Sequence, residues 1–307
     1  GVSLPWSAPP RRPRPRRCVR ASSPPARPRV SPRSNHSTMR LARLKRLVCA
    51  FSSSPSWQPV VDSGASLPGA HYEVIFDDGV DLIVVNKDAG LLTVPGVGED
   101  KHDCLVARVQ RDLDVPLVKA CHRLDRDTSG LIALPRSQRA HRALSIAFQD
   151  RKVKKTYRGR VLGTRPRGEG EIDAPVGKLP AVAVEDRSPL SRPRLWGVVP
   201  DGRPSLTRFK VLATHDRSTS VELFPVTGRS HQLRVHLAHV GAPLLGDTVH
   251  GDDEAKAAAS RLCLHASGLQ FRHPATNRLL SFRSDPDFDN LVRPAYLLPS
   301  SLGFSSS

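Results

Sequence analysis

The sequence predicts an α+β fold, a mixed and largely antiparallel sheet flanked by helices, and three observations carry that reading. Short β-rich runs recur from residue 72 to the end of the chain, few helical segments lie between them, and several are joined by hairpin-type turns. A doubly wound nucleotide-binding sheet is excluded on the same grounds, and neither G-x-G-x-x-G nor G-x-x-x-x-G-K-[ST] occurs. In chain order, 72–76 and 82–86 are β-rich runs separated by Asp77-Asp78-Gly79, a hairpin signal. Residues 104–113 have helical spacing through Leu105, Val109 and Leu113, and 137–149 repeat it through Ala140, Leu144 and Phe148, with the apolar strand 131–134 between them. Strands follow at 156–162, 207–213 and 218–224, the last two joined by His215-Asp216-Arg217. The intervening 164–204, rich in Pro, Arg and Gly, reads as an irregular excursion. Residues 230–240 are helical and stop at Gly241 with Pro243 just beyond, and strands at 262–266, 269–271 and 279–282 close the chain.

Charge divides the 307 residues into two parts. Lys and Arg number 47 against 29 Asp and Glu, a formal charge of +18. The first acid is Asp62, and residues 1–61 hold thirteen Lys and Arg, eleven of the 28 prolines and eleven serines, so five of the eighteen net charges remain for the rest. Residues 1–70 therefore read as a basic, disordered leader and 71–307 as one folded domain. Within the leader Leu41, Leu44, Val48 and Phe51 recur at helical spacing beside Arg40, Arg43 and Arg46, the pattern of an organellar transit peptide for a mitochondrion or chloroplast. Met39, the sole methionine, is a possible start of translation. The alternative is a basic arm that helps to hold RNA, with the protein in the cytoplasm or nucleus. No run of about 18 apolar residues is present, so no membrane helix is expected. The five cysteines form no C-x-x-C pair, which speaks against a disulfide framework or a Cys-rich zinc site.

Four polar clusters are candidates for chemistry: Asn86-Lys87; His122-Arg123-Leu124-Asp125-Arg126-Asp127-Thr128-Ser129-Gly130; Lys155-Thr156-Tyr157; and Thr227-Gly228-Arg229-Ser230-His231-Gln232-Leu233-Arg234. Asp125 lies between two arginines in a turn-prone segment. A carboxylate near a guanidinium stays ionised and is able to act as nucleophile or base, although such a segment also serves simply to reverse the chain. Arg229 and Arg234 sit near a helix start, where the dipole does not favour cations, so an anion held there or a plain solvated basic face accounts for them. Tyr157 opens a strand after Lys152, Lys154 and Lys155, a position equally suited to core packing. His231, His236 and His239 lack metal-ligand spacing, and no metal is expected.

Taken together and in order, these clusters resemble the RluA-type pseudouridine synthases, in the short form without an S4 domain. The resemblance runs from about Tyr72 to Phe288 through Val85-Asn86-Lys87, Gly90-Leu91-Leu92, the 122–125 and 128–130 segments, 155–157 and 227–237, then Gly246-Asp247, Leu264-His265-Ala266 and His273-Pro274. It implies an enzyme that isomerises uridine to pseudouridine in structured tRNA or rRNA by base flipping, with no cofactor and no metal, acting as a monomer without DNA or membrane. It further implies that Asp125 is the catalytic nucleophile, that Arg234 pairs with its carboxylate, and that Tyr157 lies against the uracil as a candidate for proton removal. Arg123 would fill the place of the displaced base, and His122, Arg229, His231, Asn86 and Lys87 would contact RNA. The sequence departs from the family pattern at Asp88, usually Pro, at His250, usually Tyr, and in a longer 164–204 excursion. Two competing readings are a catalytically silent RNA-binding or RNA-folding protein, and a hydrolase using Asp125 and Asp127. Residues two apart on an extended segment face opposite ways and would not flank one bond, which disfavours the hydrolase.

Overall fold

The computed structural model describes residues 71–98, 101–179 and 196–296. The expected leader at 1–70 lies outside the described residues. Eleven strands are present among those described: β1 (Tyr72–Asp77), β2 (Leu82–Lys87), β3 (Ser129–Pro135), β4 (Lys154–Leu162), β5 (Glu169–Asp173), β6 (Val176–Lys178), β7 (Trp196–Val198), β8 (Leu206–Thr214), β9 (Ser218–Pro225), β10 (Leu264–Arg272) and β11 (Leu279–Arg283). Four helices accompany them: α1 (Leu105–Asp112), α2 (Gln138–Gln149), α3 (Gln232–His239) and α4 (Asp253–Ala258). One sheet runs β1-β2-β3-β10-β4-β9-β8-β5, with β11 on β10, and β6-β7 form a separate ribbon. Every pairing is antiparallel except β3 with β10, so the predicted α+β class with a mixed, largely antiparallel sheet is the observed one.

The β3–β10 seam joins the two halves of the sheet and stands beside the site. It is close: a Cβ on Gly130, whose φ is +116°, would lie 2.5 Å from the backbone nitrogen of Ala266, so only glycine fits. Strands β2 and β3 are apolar at consecutive positions because both of their faces are covered. Ile83, Val85, Ile132 and Leu134 pack with Leu105 and Val109 of α1, while Leu82, Val84, Leu131 and Ala133 pack with Leu144 of α2. Farther along, Val161, Val221 and Leu223 pack with Leu233 and Leu237 of α3. Ser137 starts α2 by accepting a hydrogen bond from the Ala140 N–H, as its place before the apolar period suggests.

The structure corrects three sequence expectations. The 164–204 excursion is not irregular throughout: it carries β5, β6 and β7, while 180–195 lie outside the described residues. Strand β5 buries only Ile172 fully and exposes Glu169, Glu171 and Asp173, the charged composition of a sheet edge. The two strands expected at 262–266 and 269–271 are one, β10, with an irregularity in its pairing to β4 between His265 and Gly268. The helix expected to open at Ser230 opens at Gln232, because His231 adopts a left-handed conformation with φ 55°.

Candidate active site

The loop 121–128, the start of β4, the turn after β9 and the first residues of α3 line one cleft of about 1070 Å³. The backbone on either side of Asp125 is pinned. Thr93, 2% exposed, donates its hydroxyl to the Leu124 carbonyl (2.8 Å) and accepts from the Leu124 N–H (3.2 Å). The Arg126 carbonyl accepts from the Gly90 N–H (2.8 Å) and from Lys87 Nζ (3.1 Å), and the Asp125 carbonyl accepts from the Thr128 N–H. The half-buried Asp125 side chain faces the cleft from this fixed loop.

Lys87 explains part of that rigidity and is not a residue that RNA reaches. It is 0% exposed, its ammonium donating to the carbonyls of Asp88 (2.7 Å), Leu91 (2.9 Å) and Arg126 (3.1 Å). Burial pushes the ammonium down to about 8, against the pull of the Asp127, Asp88 and Asp125 charges. Asn86 is likewise outside the cleft lining, in β2 opposite Leu131, with its side-chain oxygen buried. The RNA contacts expected of both residues are therefore replaced by a structural role for Lys87. Lys87→Met leaves three carbonyls without their donor and is expected to lower stability by about 2–4 kcal/mol, with RNA affinity of the folded protein unchanged. Urea unfolding and filter binding check this; weaker RNA binding at full stability would restore the first reading.

Arg234 and Asp125 do not form the ion pair expected of them. Arg234, 3% exposed on α3, donates Nε and Nη2 to the two carboxylate oxygens of Asp247 (2.8 and 2.5 Å), itself 1% exposed. Burial acts to raise the Asp247 carboxyl, but Arg234 and the N–H groups of Val249 and His250 outweigh it and hold it below the usual range. Asp125 forms no ion pair among the described residues, yet its charge acts on Arg234, His231 and Tyr157. The guanidinium is thus a fixed cation in the field of a free carboxylate. The Gly246-Asp247 motif carries no sequence signal that pairs the aspartate with an arginine thirteen residues away.

Tyr157 packs between two parts of the core and also lines the cleft. Burial first, and then the Asp125 charge, push its phenol well above the usual range. At neutral pH it is a protonated wall and not a ready base.

His122 ties the loop to β3: its Nε2 accepts the Ala133 N–H (2.9 Å) and its ring stacks on Phe148 at 4.2 Å. The ring, of which the resemblance implies an RNA contact, lines the cleft while being held by these protein contacts. Burial, and secondarily the Lys155 charge, push it down to about 3. The unfolded chain takes up this proton near pH 6.5 and the folded chain only near 3, so the folded state holds fewer protons between them and stability falls as pH drops. The loss from this ring is about 2 kcal/mol by pH 5. His122→Gln is expected to shrink the fall in unfolding free energy between pH 7 and 5 by that amount; an unchanged fall contradicts the assignment.

The exposed Arg123 reaches across the cleft to Ser230 Oγ (2.9 Å). Arg229 lines the same turn, with its Nε buried and unpartnered. Gln232, to which sequence reading gave no role, organises that turn: its oxygen accepts from Thr227 Oγ1 and the Arg229 N–H, and its nitrogen donates to the Leu206 carbonyl and Thr207 Oγ1. His231, at the start of α3, lines the cleft as well, whereas Asp127 does not, which removes the second carboxylate that a hydrolase would need.

The chain belongs to the RNA pseudouridylate synthase family, isomerases that act on RNA: the family model matches residues 81–239, from β2 to the end of α3. It is 40% identical over 216 residues to the dual-specificity RNA pseudouridine synthase RluA of Pasteurella multocida, covering 70% of this chain and 93% of that protein. To the enzyme of the same name from Escherichia coli K12 it is 38% identical over 222 residues, covering 72% and 96%. The solved structure of human RNA pseudouridylate synthase domain containing 1 aligns with a TM-score of 0.56 at 25% identity, covering 70% of this chain and 82% of that one. The resemblance to RluA-type synthases read from the motifs is thereby established.

Proposed function

We propose that the protein isomerises specific uridines in structured tRNA or rRNA, flipping the target nucleotide into the cleft where Asp125 attacks. One observation carries this reading: among the described residues Asp125 is the single carboxylate lining a cleft that seven Lys and Arg also line. The cations suit the phosphates of RNA, while a carboxylate among them weakens RNA binding and needs a chemical reason to be there. This favours the enzyme over a silent RNA-folding protein on the same scaffold.

Pseudouridine formation breaks the bond from uracil N1 to C1′, turns the ring and rejoins it through C5, so the base must leave its stack and stay enclosed. The pinned loop presents Asp125 to C1′ without an ion pair to break first. Arg234, locked on Asp247, supplies a fixed positive field near the site that needs no rearrangement as charge develops. Tyr157 offers a flat apolar wall to the uracil, and Arg123 a planar cation able to occupy the vacated stack. The name of the bacterial relatives, dual-specificity RNA pseudouridine synthase, supports RNA as the substrate and more than one target. We further propose that the protein works as a monomer and that the acid-free basic segment 1–61 addresses it to a mitochondrion or plastid.

Mapping pseudouridines in organellar and cytosolic RNA with and without the gene tests the assignment. Discrete uridines in tRNA or rRNA are expected to lose modification on deletion and to regain it with the wild-type gene. An unaltered pseudouridine map overturns it.

A further inference from the structure

Behind the cleft, His250 meets His231 ring to ring. His231 Nδ1 and His250 Nε2 are 2.8 Å apart, with the rings edge-on, their centroids separated by 5.1 Å. Two imidazoles at that distance share one proton: one nitrogen donates it and the other accepts. His231 lines the cleft and His250 does not, so the contact has an inner and an outer end. With Nδ1 engaged, Nε2 is the nitrogen of His231 left for a substrate. Its state follows from the shared proton. When His231 donates from Nδ1, Nε2 is a bare acceptor; when His250 donates, Nε2 carries a proton.

Both ends are held in place. His231 caps α3 in a left-handed backbone conformation, and the His250 N–H donates to the Asp247 carboxylate that also clamps Arg234 (2.9 Å). The charges around the pair come from every neighbouring element: Asp125 and Arg123 on the 121–128 loop, Arg234 on α3, and Asp247 on the segment that carries His250. Burial acts first on both rings and keeps them neutral, His250 being pushed down to about 4, so at neutral pH the pair has a lone pair to offer.

We propose that His231 and His250 form a proton-sharing dyad that removes the C5 proton of the target uracil. This inference rests on the isomerase reading above. Once C5 is bonded to C1′, the ring carries a C5–H bond and an N1=C6 double bond. The C5–H bond breaks, its electron pair forms C5=C6, and the N1=C6 pair moves to N1, which takes a proton from water. The C5 proton passes to His231 Nε2, the Nδ1 proton of His231 passes to His250 Nε2, and His250 releases its own Nδ1 proton to solvent. Atoms and charge balance, and no further reactant is needed. The enclosed phenol of Tyr157, beside the Asp125 charge, is poorly suited to this step. His250 stands where the sequence pattern otherwise has Tyr, a residue whose hydroxyl both donates and accepts, so the relay survives that exchange.

The test is single-turnover conversion of an RNA substrate carrying protium or deuterium at uridine C5. His250→Phe is expected to slow conversion about 10- to 100-fold with RNA affinity unchanged, and to raise the C5 isotope effect above that of wild type. His250→Tyr is expected to recover most of the rate and to lower the isotope effect again. His231→Asn, which keeps a residue tolerant of the left-handed backbone, is expected to behave as His250→Phe does. Wild-type rates and isotope effect in His250→Phe, or equal slowing by Phe and Tyr without a change in isotope effect, overturn the dyad. A wild-type protein that forms no pseudouridine in the same assay overturns the isomerase reading instead.

Discussion

Asp125→Ala is expected to bind RNA as tightly as the wild type, or more tightly, and to form no pseudouridine, a loss of about 10³-fold or more in the single-turnover rate. The two halves of this expectation have separate causes. Among the described residues the carboxylate is the only negative side chain lining a cationic cleft, so its removal takes away a repulsion toward phosphate and no attraction. On the proposed reading it is also the nucleophile at C1′, a role closed to Arg234, a permanent cation clamped by Asp247, and to Lys87, which is sealed away from the cleft. The loop itself should survive the change, because its anchors are backbone groups of residues 124 and 126 held by Thr93, Gly90 and Lys87. Filter binding together with product mapping reads both halves; product from the variant at anything near the wild-type rate removes Asp125 from the mechanism.

Asp247→Asn is expected to lower the unfolding free energy by about 3–5 kcal/mol, the largest stability effect foreseen for a side chain outside the cleft. The variant leaves the Arg234 guanidinium 3% exposed and uncompensated, a buried charge that has lost its partner. It also weakens the acceptor for the Val249 and His250 N–H groups, and with it the segment that positions His250. Activity should fall in the fraction that remains folded, since the cation beside Asp125 is then free to move. An unfolding free energy from urea titration within about 1 kcal/mol of wild type would mean that the pair is an exchangeable surface-type bridge, against its burial.

The class of the fold was legible because burial on both faces writes itself into β2 and β3 as unbroken apolar runs, and because α1 and α2 keep a clean helical period. Strand β5 was not legible: its only fully buried residue is Ile172, and a charged edge strand carries no alternation to read. At the site, the order of the polar motifs was enough to single out Asp125, Arg123, Tyr157, Arg229, His231 and Arg234, all of which line the cleft. What motifs do not reveal is direction. Lys87 looked like a cation for RNA and points into a cage of three carbonyls; Arg234 looked like the partner of Asp125 and turns to Asp247. Such choices depend on loops folding back across the chain, where spacing along the sequence carries no signal. His250, where the resemblance has Tyr, is visible in the sequence as a departure, whereas its 2.8 Å contact with His231 is not.

The most direct test of the central claim is to incubate the purified protein with transcribed tRNA and rRNA and to map carbodiimide-labelled sites by primer extension. Wild type is expected to create stops at discrete uridines with no change in RNA mass, and Asp125→Ala to create none. No stops with wild type, or the same stops with Asp125→Ala, would contradict a uridine isomerase built on this carboxylate.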